Sequence, residues 1–458
     1  MNHLSKQLHT IGFLLGLLGL IPARAQTPQN FSLAEAVRYA VEHNINVTNT
    51  KLDAQSAEAR IREIKAVSLP QVNVSGSFLN NLAIQTVFLP PQFFQLPESA
   101  GPQPVRFGVA YTGSIQGAVN QLLFDASYRI GLKAADAYRE LAQKNTTASK
   151  IVIAEQVAKA YYGVLVSQER MKLLDYNISR LDTLLRETRA LNKQGFVEKI
   201  DVSRLEVQSN NLKTEKQKVQ NLVGLSYYLL KFQMGLGIND PIYLTDQIPQ
   251  MDLDELERTV NNIPASFDYA NRIEFAQLQS QLKLANLDIQ NTQKQYFPRL
   301  SAFFNYGYNN GRNSFGDMLT TKWFALSSVG ISLSAPIFDG FARRYRIQQQ
   351  RIVVDKVKNG NELLKNSIDL QIRQAQITLQ NNLQTLRTQQ SNLELAQEIL
   401  RVTRIKYKEG VGSNIEVLNA ETSSREAQTN YYAALLDFML AKVDLDKATG
   451  TLYTENQP

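Results

Sequence analysis

Four segments of the chain alternate apolar and polar residues with a period of two, the spacing of a strand whose two faces meet different surroundings. In the first, Val72, Val74, Phe78, Leu82 and Ile84 alternate with Gln71, Asn73, Ser75, Ser77 and Asn81. In the second, Val105, Phe107, Val109, Tyr111, Ile115 and Val119 share one side with Gly113 and Gly117, against Arg106, Thr112, Ser114, Gln116 and Asn120. The third sets Leu300, Ala302, Phe304, Tyr306 and Tyr308 against Arg299, Ser301, Asn305 and Asn309, with Phe303 breaking the polar side. The fourth sets Val329, Ile331, Leu333, Ala335 and Ile337 against Ser328, Gly330, Ser332 and Ser334. The predicted strands span about 71–88, 105–124, 299–310 and 323–338. A soluble sandwich could carry such strands. Their length, their Gly and aromatic content and their uncharged polar side suit a membrane β-barrel better, with lipid outside and water inside. On that reading Val72, Val74, Phe107, Val109, Tyr111, Phe304, Tyr306, Val329 and Ile331 face lipid.

Elsewhere the period changes to seven. Ile372, Leu379, Leu386, Leu393 and Leu400 form one apolar column, and Val157, Val164, Met171, Ile178 and Leu185 repeat it 215 positions earlier. A second column, Ala375, Asn382, Gln389 and Ala396, is small or polar. Sustained seven-residue spacing predicts helices packed as coiled coils, here with one tight seam and one wet one. The same offset of 215 relates Gly195 to Gly410, Ile200-Asp201-Val202 to Ile415-Glu416-Val417, Glu206 to Glu421 and Gly235 to Gly450. Leu123-Phe124-Asp125 matches Ile337-Phe338-Asp339 at 214, and Leu69-Pro70 matches Phe297-Pro298 at 228. The chain is thus a duplicated unit of helix, strand, strand, long helix and helix, mainly α with membrane β. Its extra residues fall in the first hairpin, whose loop Leu89–Pro104 holds five prolines.

Geometry narrows the architecture. A helix from about Ala126 to Gln194 would run ~100 Å at 1.5 Å per residue, too long for a compact domain. Lipid cannot satisfy an open strand edge, and the smallest membrane barrels close with about eight strands. Four strands per chain therefore demand two, three or four copies.

The N-terminus reads as a secretory signal over residues 1–25. Lys6 gives the positive start, Ile11–Ile21 an apolar stretch too short to span a bilayer, and Ala23-Arg24-Ala25 the cleavage site. Without a Cys at that point, no lipid anchor is expected. Removal of Lys6 and Arg24 lowers the net charge from +7 to +5. The remaining charges are interleaved, which argues for solvated helix faces and against a nucleic-acid partner. The 458 residues contain no Cys and three His, two of them (His3 and His9) in the removed segment. A Cys/His zinc site or a thiol nucleophile is excluded, and no phosphate-binding glycine loop is present. Neither an enzyme nor a cofactor is expected.

The segment Tyr407–Glu421 (YKEGVGSNIEVLNAE), its echo Gln194–Glu206 (QGFVEKIDVSRLE), and the two strand-closing motifs Leu123-Phe124-Asp125 and Ile337-Phe338-Asp339 resemble the TolC-type outer-membrane efflux family. The likeness runs in order through both halves of the mature chain. It implies a homotrimer with a 12-strand β-barrel in the outer membrane, in contact with its lipid and continuous with a long periplasmic α-helical barrel. The domains would be a first repeat over 26–235, an equatorial connector over 236–266, a second repeat over 267–450 and a tail over 451–458. Members of the family are exit ducts of tripartite pumps, joined by a periplasmic adaptor to an inner-membrane transporter of antiporter or ABC type.

In the family the two helical turns form the periplasmic tip, where the pore narrows and the adaptor docks. Gly195, Gly410 and Gly412 have the chemistry of tight turns. Ser413 and Glu416 have the spacing of a capping box. In an oligomer Asp201 and Glu416 would form carboxylate rings that favour cations. Well-known members close the tip with contacts among a Tyr, a basic residue and an Asp; Tyr407 and Asp201 match two of these. Gly412 and Asn419 stand where those members carry charge, so the network would be thinner here. A passive porin leaves the long helices without use, and a periplasmic scaffold leaves the amphipathic strands unexplained. Efflux of small toxic compounds is the expected function. An outer-membrane channel of ATP-driven type I protein secretion is the alternative.

Overall fold

The computed structural model describes residues 29–248, 257–258 and 267–453. The signal sequence, most of the second half of the connector and the end of the tail lie outside the described residues. In chain order the elements are β1 (Gln29–Phe31), α1 (Leu33–His43), α2 (Ile45–Ala66), β2 (Gln71–Asn80), β3 (Thr86–Leu89), β4 (Gln103–Arg106), β5 (Tyr111–Phe124), α3 (Ala126–Lys193) and α4 (Lys199–Met234). They continue as β6 (Ile242–Leu244), α5 (Ile273–Lys294), β7 (Arg299–Arg312), α6 (Phe315–Thr320), β8 (Phe324–Ser334), α7 (Ala342–Lys408) and α8 (Asn414–Ala448). α3 and α7 end, and α4 and α8 begin, 215 positions apart. Among the described residues no helix is long and apolar enough to cross a membrane.

The chain divides into two compact units. One, from Thr50–Thr146 and Ile273–Asn366, holds the antiparallel sheet β2-β5-β7-β8. Its register aligns Val72 with Val119, Phe304 and Val329 across all four strands, and Val74 with Gly117 and Tyr306 across three. One face is therefore apolar. The opposite face aligns Asn73, Ala118, Asn305 and Ser328, and Asn305 Nδ2 donates to Ser328 Oγ at 3.2 Å.

Three predicted strands are shorter than the alternation suggests. The stretch 105–124 is interrupted, because β4 pairs with β3 as a separate small hairpin and residues 107–110 are irregular. Gly108 there has φ 150°, which L side chains rarely adopt. Asn81 ties the break shut: its N–H donates to Ala110 O at 2.7 Å and its Nδ2 to Val109 O at 2.9 Å. Phe107 and Val109 thus lie off the sheet, outside its strands. The stretch 71–88 breaks at the same level into β2 and β3. The fourth strand stops at Ser334, short of Pro336, which has no N–H for the ladder.

The strand-closing Asp residues start the long helices. Asp125 Oδ1 accepts from Ser127 N at 2.8 Å, and Asp339 Oδ2 from Arg343 N at 3.2 Å, so each supplies a free amide of the first turn. In the same unit α3 is tied to α5 by Ile130, Ala137 and Leu287 and by Glu140. Glu140 accepts from Lys283 and Lys144, each at 2.9 Å, and these two cations hold its carboxyl down to about 2.

The other unit comes from Met1–Asn49, Thr147–Arg272 and Ser367–Pro458. Its first core gathers Phe31, Val47, Val157, Tyr161, Val164, Leu230 and Met234. The parallel pair β1-β6 closes over it, and the Tyr161 hydroxyl donates to Phe31 O at 3.0 Å. A complete capping box at Ser32 and Glu35 starts α1. The second core gathers Leu174, Leu181, Leu185, Val202, Leu205, Leu212 and Val417, drawing α3, α4 and α8 together. The seven-residue columns are buried as predicted at Val157, Val164, Leu185, Ile372, Leu379, Leu386 and Leu400.

Candidate functional site: the paired helical turns

Both helical hairpins reverse through five residues, 194–198 and 409–413, in the same unit. Gly195 (φ 82°) and Gly410 (φ 75°) take the left-handed conformation that ends a helix without a Cβ clash. The following amides reach back over the last turn, Phe196 N to Leu191 O and Val411 N to Lys406 O, both at 3.0 Å. This Schellman pattern satisfies carbonyls that the helix end would leave unpaired. It also thrusts the next side chain outward: Phe196 is 74 % and Val411 78 % exposed, two apolar knobs at equivalent positions.

Gly412 serves another purpose. A Cβ there would lie 3.0 Å from the Tyr407 amide nitrogen and 3.1 Å from the Lys406 carbonyl carbon, so the residue is small because the chain passes close to the helix end. Ser413 Oγ accepts from Glu416 N at 3.3 Å, half of a capping box. At the first turn Glu198 occupies that position with no side-chain cap bond. Asp201 and Glu416 sit in the first turns of α4 and α8, where the helix dipole favours a carboxylate.

The two turns are neighbours: Asn414 Nδ2 donates to Asp201 O at 3.4 Å. Asp201 and Tyr407 are not paired within one chain. The Asp201 carboxylate meets Arg204 at 3.5 Å, while Tyr407 packs on the second core with its hydroxyl buried and unpartnered among the described residues. The Glu416 side chain is exposed.

A charge cluster behind the turns is not part of the expected constellation. Glu421 is buried between Arg180 of α3 and Arg404 of α7, meeting the latter at 2.5 Å. The pair Arg404–Glu421 repeats Arg189–Glu206 at the offset of 215, but only the second copy gains Arg180. That third residue joins the first hairpin to the second. The offset that matched Glu206 to Glu421 also matches their arginines, so the signal was present; nothing in the spacing points to Arg180. Further along, Asn177 Nδ2 donates to Gln428 Oε1 at 2.9 Å across the buried face of α3 and α8. The fully buried hydroxyls of Thr188 and Ser424 find no partner among the described residues. An unpaired buried hydroxyl costs about 1–3 kcal/mol, so this seam is held less firmly than an apolar one.

Residues 269–451 match the model of the outer membrane efflux protein family. The outer membrane protein TolC of Vibrio cholerae is 20 % identical over 92 % of this chain and 91 % of its own length. The probable efflux pump outer membrane protein TtgC of Pseudomonas putida is 22 % identical over 92 % of this chain and 83 % of its own. The crystal structure of the outer membrane protein VceC from Vibrio cholerae superposes with a TM-score of 0.67 at 14 % identity, covering 91 % of this chain and 96 % of that one.

Proposed function

This chain belongs to the TolC-type outer-membrane efflux protein family, and on that premise we propose that it is the exit duct of a tripartite efflux pump, passing small toxic compounds out of the periplasm. The observation that carries the reading is the sheet β2-β5-β7-β8, apolar on one face and uncharged through the middle of the other, where Asn73, Asn305 and Ser328 lie beside Phe303 and Leu326, with β2 and β8 at its edges. In lipid those edges must pair with other copies. Three copies supply the 12 strands of a closed barrel. The helices support the same assembly. Ile200 and Val207 near one end of α4 and Leu225 and Phe232 near the other leave apolar side chains exposed, as Leu370 and Ile377 do along α7, which suits contact with neighbouring copies.

Within this reading the paired turns are the periplasmic tip. To close the tip Tyr407 would turn its hydroxyl out of the second core to meet Asp201 of a neighbouring chain. Asp201 and Glu416 ring the narrowest point and favour cations. The knobs Phe196 and Val411 offer a periplasmic adaptor apolar holds on both hairpins. The uncharged lumen face around Asn73, Asn305 and Ser328 suits an unselective conduit whose cargo is chosen by the inner-membrane partner.

Extraction from the outer-membrane fraction, followed by light scattering on the detergent complex, tests the assembly. A protein mass of three chains is expected. A monomer would leave two open strand edges in lipid and would overturn the reading.

A further inference from the structure

The second hairpin turns between β7 and β8 through residues 313–323, which in a barrel would be an extracellular loop. It does not stand away from the sheet. Its short helix α6 lies flat on the apolar face. Phe315 packs edge-on against Phe78 (centroids 5.6 Å apart) and against Tyr111 (5.9 Å), both on the apolar side of their strands. Gly113 makes room: a Cβ there would fall 2.2 Å from Met318 Cε and 2.9 Å from Trp323 Cη2. The buried Asn310, on the same face, pins the helix end by donating from Nδ2 to Met318 O at 3.0 Å and to Thr321 Oγ1 at 3.1 Å. Arg312 Nε donates to the same Thr321 hydroxyl at 3.0 Å.

The far side of this cover is itself apolar. Phe315 and Leu319 remain exposed, continuing outward the surface of Val74, Tyr306 and Val329. The cover sits where the apolar rows end and Asn80, Asn310 and Arg312 begin. Aromatic side chains at that level of a membrane protein settle in the boundary between acyl chains and headgroups. Exposed Lys322 and half-buried Arg312 flank it with positive charge and exposed Asp317 with negative.

We propose that this loop is a lipid anchor: α6 and Trp323 fold back over the lipid-facing side of the sheet and lie in the outer-leaflet interface, with Phe315 and Leu319 against acyl chains. Lipid is favoured over a second copy because the cover continues the lipid face of the sheet, whereas chain-to-chain contact belongs to the edges β2 and β8. The inference rests on the barrel reading, and its test separates the two.

Trp323 is the only tryptophan in the chain, so its fluorescence reports this site alone. The assembled protein is placed in phosphatidylcholine vesicles brominated near either the carbonyl or the methyl end of the acyl chain. Trp323 is expected to be quenched strongly by the shallow bromines, weakly by the deep ones and little by aqueous iodide. Gly113→Val, which leaves no room for Met318, should shift emission to the red and admit iodide. A Trp323→Phe, Val329→Trp variant serves as the depth reference, expected to be quenched by the deep bromines. Quenching of that reference without quenching of Trp323 by either lipid would overturn the anchor and leave the barrel standing. Iodide access would then put the loop in water, and protection from iodide would put it against protein. No quenching in either protein would remove the barrel reading itself.

Discussion

Replacing Glu421 by alanine is expected to destabilise the assembled protein by about 3–5 kcal/mol and to raise its single-channel conductance, because it removes the buried carboxylate that both Arg180 and Arg404 meet. The Glu421 side chain is 10 % exposed and serves Arg180 at 15 % and Arg404 at 32 %. Removing it leaves two guanidinium groups facing each other without counter-charge in a poorly hydrated seam. Arg180 belongs to the first hairpin and Arg404 to the second, so the loss falls on the contact that must yield if the hairpins move apart. The repeat supplies its own control. Glu206 and Arg189 form the equivalent pair with side chains 43 % and 51 % exposed, and an exposed pair is worth at most about 1 kcal/mol. Glu206→Ala should therefore change thermal stability and planar-bilayer conductance very little. Equal effects from the two substitutions would mean that burial and Arg180 contribute nothing, and that Glu421 is no clamp.

The second large effect concerns the faces of the sheet. Arginine at Val329 is expected to cost about 2–4 kcal/mol near the bilayer midplane and to lower the yield of assembled protein in the outer membrane. Val329 lies in the apolar row with Phe304, Val119 and Val72 and is 80 % exposed in the single chain. Its chain neighbour Ser328 lies in the polar row with Asn305, the lumen side of the proposed barrel. Arginine at Ser328 should assemble at nearly normal yield and shift conductance toward anions, since each copy adds a positive charge to the water-filled path. Equal yields from the two variants would mean that inside and outside have been exchanged.

Much of this was legible in the pattern of residues, for physical reasons that differ between elements. The column from Ile372 to Leu400 announced its helix because a seven-residue spacing returns to one side of a coiled coil and to nothing else. The turns at Gly195 and Gly410 were readable because a left-handed helix end tolerates few residues besides glycine. Val72, Val74, Tyr111, Phe304, Tyr306, Val329 and Ile331 lie on strands and share one side of the sheet, since a period of two fixes the side once the strand is real. Phe107 and Val109 do not lie on a strand: the alternation continues there through a stretch that has left the sheet, where Gly108 and the Asn81 side chain set the break. Two features were illegible for a different reason. The second partner of Glu421, Arg180, lies 241 positions away in the chain and has no equivalent in the Arg189–Glu206 pair. The cover over Gly113 depends on a close approach that glycine permits but does not by itself announce.

A duct that works as part of a pump would dock through its paired turns. The chain contains no cysteine, so a single Val411→Cys on the exposed second knob can be crosslinked in living cells without background. Val411 lies beyond the helix-ending Gly410 and caps the helix only through its backbone N–H, which a Cys keeps, so the tip keeps its shape. Mass spectrometry of the attached protein is expected to find a periplasmic adaptor. An adaptor of a drug-exporting antiporter would place small toxic compounds in the duct, whereas one from an ATP-driven secretion system would move the cargo to polypeptide. An assembled oligomer to which no periplasmic protein becomes attached would contradict the account.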